Sequence, residues 1–109
     1  VEAGYLESFY NDDYSFGLTV ANESDTDAAP KDCLISGIDV SEGSPVSVTI
    51  DGFAVGGNVA DLANKYGVKL QDANNGYFTI YDISSEWNEM VVYYYDGKIY
   101  EINIEFMEF

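Results

Sequence analysis

The chain has 109 residues, of which 20 are acidic and 4 are lysine, with no arginine or histidine, so its formal net charge is -16. Hydrophobic residues at 47% and aromatics at 16% are too many for a disordered acidic tail. The length suits a single domain over 1–109 that buries roughly two-thirds of the surface its unfolded chain would expose. Several functions are excluded at once: few lysines and no arginine leave a nucleic-acid backbone unneutralised, and the lack of histidine removes His-based triads and metal sites. No apolar run approaches the ~20 residues of a membrane span, so a soluble segment without membrane insertion is expected. Val1 in place of Met suggests a processed chain or a domain excised from a longer secreted one.

The first dozen residues, with Tyr5, Leu6, Phe9 and Tyr10, fit either a helical turn or an edge strand. Tyr14, Phe16, Leu18 and Val20 alternate with Ser15, Gly17, Thr19 and Ala21, the period of a half-buried strand. Asn22 to Asp32 is small, acidic and Pro-containing, hence a loop, and Leu34, Ile35 and Ile38 suggest the next strand. Alternation returns at Val46–Ile50, and Asp51-Gly52 offers a tight turn into Phe53-Ala54-Val55.

A helix is expected over about 58–66. Asn58 is a good N-cap, and Val59, Leu62, Ala63 and Tyr66 fall on one face. Asp61 and Lys65 match the helix dipole, and Gly67 can take the left-handed conformation that ends it. So short a helix must pack on a sheet.

Tyr77 to Ile83, Met90 to Tyr95 and Lys98 to Phe106 read as a meander, the last two joined by the hairpin signal Asp96-Gly97. A regular two-residue turn there sets Tyr93 opposite Tyr100 and Val91 opposite Ile102. Tyr100, Ile102, Ile104 and Phe106 then share the buried face, opposite Glu101, Asn103 and Glu105. The expected class is α+β, an antiparallel sheet of about six strands with one short helix on its apolar face.

Leu18–Ser24, the acidic loop, Lys31–Ile38, Phe53–Gly57 leading into the helix, and the meander pieces Ile80-Tyr81-Asp82, Val91-Val92-Tyr93 and Gly97–Ile102 together carry a resemblance. Over roughly 18–106 the chain resembles a group of uncharacterised domains at the C-terminal end of secreted lipoproteins of Gram-positive bacteria. Its helix-plus-meander is similar at fold level to the β-lactamase-inhibitor-protein type. That group often has Pro after the helix-ending Gly, where Val68 follows Gly67 here. The resemblance implies an extracellular, envelope-attached domain and brings no catalytic residue with it.

Each chemical motif has a plainer competitor. Numbered from Asp25, an EF-hand loop needs Gly and Glu where Pro30 and Ser36 stand, and the loop from Asp72 ends at Ile83, so neither completes a calcium pattern. Asn22-Glu23-Ser24 matches the glycosylation sequon, a frequent chance match. Gly52–Asn58 resembles a phosphate-cradling loop but lacks the P-loop Lys, and the negative field repels anions. Cys33 lacks an activating base, and Asp32 beside it opposes a thiolate; a small buried core residue is expected. A two-carboxylate glycosidase needs a deep cleft that so small a domain seldom provides, so no enzyme is expected.

The surface candidate is Tyr93-Tyr94-Tyr95 with Trp87 upstream. If Tyr93 and Tyr95 enter the core, Tyr94 stands on the wet face with Met90 and Ile99. Trp87, Tyr94, Met90 and Ile99 are therefore the expected binding residues; no metal and no cofactor are expected. The function expected is a non-catalytic interaction domain of a secreted or surface-anchored bacterial protein. Its partner would be another extracellular or envelope protein, basic if charge dominates, and homo-oligomers are compatible with it. The alternative is a carbohydrate- or cationic-peptide-binding module that uses exposed aromatics.

Overall fold

The computed structural model describes residues 1–81 and 87–106. Six antiparallel strands form one sheet: β1 (Leu6–Tyr10), β2 (Phe16–Ala21), β3 (Leu34–Ser41), β4 (Gly76–Tyr81), β5 (Trp87–Tyr95) and β6 (Lys98–Phe106), in spatial order β1-β2-β3-β6-β5-β4. One helix, α1 (Val59–Lys65), lies between β3 and β4 in sequence. The expected α+β class with a single short helix is what the chain adopts.

The helix forms for the reasons its sequence gives. Asn58 Oδ1 accepts the amides of Ala60 and Asp61 at 2.8 and 3.3 Å, while Val59, Leu62 and Ala63 are buried. Gly67 has φ +69°, and the Val68 and Gly67 amides donate back to the Ala63 and Asn64 carbonyls. This Schellman closure sends Val68 onto the core. Val59 and Leu62 pack with Val40, Met90, Val92, Ile102 and Ile104, and the flanking Val48, Ile50, Phe53, Val55 and Leu70 complete the cover.

Of the two readings open for the N-terminal segment, the structure takes the edge strand, β1. The strand inventory departs from the sequence pattern further on. Val46–Ile50 and Phe53–Val55 are not strands of the sheet: Ile50 and Phe53 exchange backbone hydrogen bonds of 2.8 Å across Asp51-Gly52, which is the expected tight turn, and the hairpin ends there. The segment instead lays its side chains on the core. Of the strand expected over Tyr77 to Ile83, Asp82 and Ile83 lie outside the described residues.

Register supplies the main correction. Tyr95 pairs with Lys98 across a turn in which Asp96 and Gly97 have φ +53° and +74°, as a type I′ turn requires. Tyr94 then pairs with Ile99 but Tyr93 with Glu101, so Tyr100 is an extra residue on β6. Val91 consequently faces Asn103, and Val92 faces Ile102. A second irregularity between Trp87 and Glu89 brings Trp87 and Met90 to the same face. The expected pairings Tyr93–Tyr100 and Val91–Ile102 do not occur, because one bulged residue reverses which side of β5 meets the isoleucines of β6.

The radius of gyration, 15.1 Å, exceeds the ~13 Å usual for this length, and the extents are 47 × 33 × 20 Å. The helix and its flanking segments cover one face of the sheet over β3–β6, and β1 at the edge lies beyond that cover, with Phe9 40% exposed.

Candidate functional site: the open face of the sheet

With these two irregularities in β5–β6, all four residues expected to bind are buried. Tyr94 is 3% exposed, Trp87 7%, Ile99 1% and Met90 0%, and all belong to the core beneath the helix. Tyr94 is fixed further by donating its hydroxyl to the Asp72 carbonyl, and Trp87 packs edge-on against Tyr66. The wet-face arrangement of Tyr94 with Met90 and Ile99 is thus overturned. Both parities of Met90–Tyr95 are apolar, so the strand's own pattern could not choose its face; the isoleucines of β6 chose it.

Five of the tyrosines left outside form two groups on the opposite face. Tyr77, Tyr93 and Tyr100 make a ladder across β4, β5 and β6, with ring centroids 5.7 and 6.2 Å apart. Near the other end, the rings of Tyr10 and Tyr14 stand 5.5 Å apart. Tyr14 is 73% exposed and holds φ +61°, a conformation that costs a non-glycine residue roughly 1–2 kcal/mol. Gly17 makes room for Tyr10: a Cβ there would stand 2.4 Å from the ring. The Tyr10 hydroxyl then reaches Asp39 Oδ2 at 3.4 Å.

Between the two groups runs an acidic floor. Cross-strand rows place Tyr10, Gly17, Asp39, Asn103, Val91 and Thr79 in line, and beside them Ser8, Thr19, Gly37, Glu105, Glu89 and Tyr81. A shallow open trough of about 310 Å³ follows these rows, lined entirely by strand residues. A smaller one of about 160 Å³ continues it toward Tyr14 and Glu101. Neither trough is lined by a lysine. Glu89 faces Glu105 directly; the hydrogen bond between their carboxyls, then partial burial, then the charge of Glu89 raise the Glu105 pKa. Burial raises that of Asp39, against the Tyr10 hydroxyl bond that lowers it. Asn103 Oδ1 is buried and accepts no hydrogen bond among the described residues, an arrangement that ordinarily costs ~1–3 kcal/mol.

A second hollow, about 410 Å³, opens beside 69–78, with Tyr77, Phe78 and Tyr94 on its walls. Its polar groups are engaged in holding the loop: Asp72 Oδ1 accepts the Asn74 and Asn75 amides, and Asn75 Oδ1 accepts the Asp96 amide.

The remaining motifs resolve structurally. Asn22 is 3% exposed; its amide nitrogen donates to the Val1 and Thr26 carbonyls, and its Oδ1 accepts from Ser24, so the sequon is used as a loop clasp. Cys33 departs from expectation. It is half-buried after the single 3-10 turn Pro30–Asp32, its Sγ 3.4 Å from the Ala29 carbonyl, and outside the core, because Leu34 and Ile35 next to it are about half exposed. Among the described residues no group of three or more acidic or cysteine side chains is placed to hold a metal, and no helix is long and apolar enough to cross a membrane.

Comparison with protein-family models, curated proteins and solved structures finds no match for this chain.

Proposed function

We propose that the chain is a non-catalytic protein-interaction domain that docks its partner on the open face of the sheet. The supporting observation is the asymmetry of the two faces. The helix and its flanking segments cover one face over β3–β6, while the other presents a lysine-free acidic trough with tyrosine groups toward the β1 and β4 sides of the same face. Clustered, exposed aromatics that share a face suit recognition, and an open trough suits a polypeptide better than an enclosed small molecule. The resemblance to lipoprotein C-terminal domains supports an extracellular or cell-surface setting in bacteria, with an envelope protein as partner.

The hollow beside Tyr77, with its aromatic walls, favours the second reading, a carbohydrate-binding module. Trp87 has no part in such a platform, since it is buried. The two readings separate with one variant. Val91→Arg places a long side chain in the trough and leaves the hollow untouched. Affinity capture of envelope proteins by the immobilised domain should lose its specific partner with Val91→Arg, at unchanged melting temperature. Capture that persists with Val91→Arg but is eluted by oligosaccharide contradicts the sheet-face reading.

A further inference from the structure

We infer that the occupant of the open face is an extended polypeptide segment bearing lysine or arginine side chains. The inference rests on the docking reading above and adds the partner's chemistry. Charge complementarity carries it. Asp39, Glu89 and Glu105 line the main trough and Glu101 its continuation, whereas the four lysines lie elsewhere: Lys31 in the 3-10 turn, Lys65 in α1, Lys69 after it and Lys98 at the β5–β6 turn. Glu89 and Glu105 stand opposite each other in a trough that no lysine lines, a like-charge pairing that destabilises a sheet unless a cation or a proton relieves it. An incoming ammonium or guanidinium group supplies that relief.

The rest of the face fits the same occupant. Tyr10 and Tyr14 at one end, and Tyr77 with Tyr93 and Tyr100 at the other, offer ring faces on which cationic side chains and their methylene stems can lie. Gly37 keeps the trough floor low, and Asn103 Oδ1 is an acceptor lacking a donor among the described residues. A divalent ion is a poorer match, because the described carboxylates do not converge as a ligand set.

Any strongly acidic protein attracts cations, so the test must separate a local site from the overall field. The probe is hexalysine, titrated at low and at near-physiological salt and followed by amide chemical shifts. Two variants each remove two charges: Glu89→Gln with Glu105→Gln in the trough, and Glu23→Gln with Asp25→Asn in the exposed loop after β2. Neither pair removes a core contact, and the trough pair relieves repulsion, so both should fold. Shifts confined to open-face residues of the sheet and the Tyr14 turn, with affinity about tenfold weaker for the trough pair and nearly unchanged for the loop pair, are the expected result. Equal weakening by both pairs, or shifts spread over the acidic loop, overturns the inference. If hexalysine fails in this way while capture of a partner still depends on Val91, the basic-segment inference falls alone; if Val91→Arg also changes nothing, the docking reading falls with it.

Discussion

Tyr94 shows how one residue's role follows from a neighbour's misfit. Its ring is sealed in the core against Phe78 at a centroid distance of 6.1 Å, and its hydroxyl is spent on the Asp72 carbonyl. Tyr94→Ala should cost about 3–5 kcal/mol, the range for deleting a buried aromatic, and should lower the urea midpoint steeply. Tyr95→Ala, at a residue 69% exposed, should leave the midpoint within ~0.5 kcal/mol of the parent. Comparable losses from the two would mean that the bulge is misplaced. The sequence carried a signal for that bulge: Ile99 and Ile102 are three apart on a strand where buried residues should be an even number apart. Tyr100, aromatic and next to them, fitted the alternation with Ile102 and Ile104 well enough to hide it.

Elements were legible where local chemistry dictates them. The helix, its Asn58 cap and its Gly67 stop, the Asp96-Gly97 turn and the span of β6 all follow from residue type and spacing. Asn58→Ala leaves the Ala60 and Asp61 amides unpaired and should cost roughly 1 kcal/mol, with Asn58→Asp nearly neutral; thermal melts of the two variants provide the check. The candidate site was much less legible. It is assembled from all six strands, residues far apart in sequence, and its orientation depends on two register irregularities of the β5–β6 pair that pairwise alternation does not encode. Val46–Ile50 failed for a different reason. Its alternating pattern is real, but with Ile50 closing a minimal hairpin on Phe53 the segment has no strand to pair with, and it serves as cover for the core.

Across the whole molecule, charge ties stability to pH. The carboxyls of Glu105 and Asp39 have pKa values raised above their ordinary 4.5 and 3.8, so each binds its proton more tightly folded than unfolded. Their contribution is complete below the ordinary values and is lost as pH rises through the raised ones. Asp13 and Asp72 behave oppositely. The Ser15 hydroxyl lowers the first and the Asn74 and Asn75 amides lower the second, so their contribution is present above 3.8 and lost as pH falls through the lowered values. Relief of self-repulsion at a net charge of -16 acts in the same sense as Glu105. The melting temperature should therefore rise on going from pH 7 to mildly acidic solution and fall again in stronger acid. Glu105→Gln should raise the neutral-pH value and flatten the first limb, and a melting temperature that falls steadily from pH 7 downward would contradict this assignment.

The sidedness of the sheet underlies both the docking reading and the partner chemistry, and hydroxyl-radical footprinting of the tyrosines reads it directly. In the free domain, Tyr10, Tyr14, Tyr77 and Tyr95 should be oxidised rapidly and Tyr94 hardly at all, in keeping with their exposures of 48%, 73%, 69%, 69% and 3%. With partner bound, protection should appear at Tyr10, Tyr77 and Tyr93 and leave the acidic loop unchanged. Rapid oxidation of Tyr94 in the free domain, or partner protection that bypasses those three tyrosines, would contradict the account.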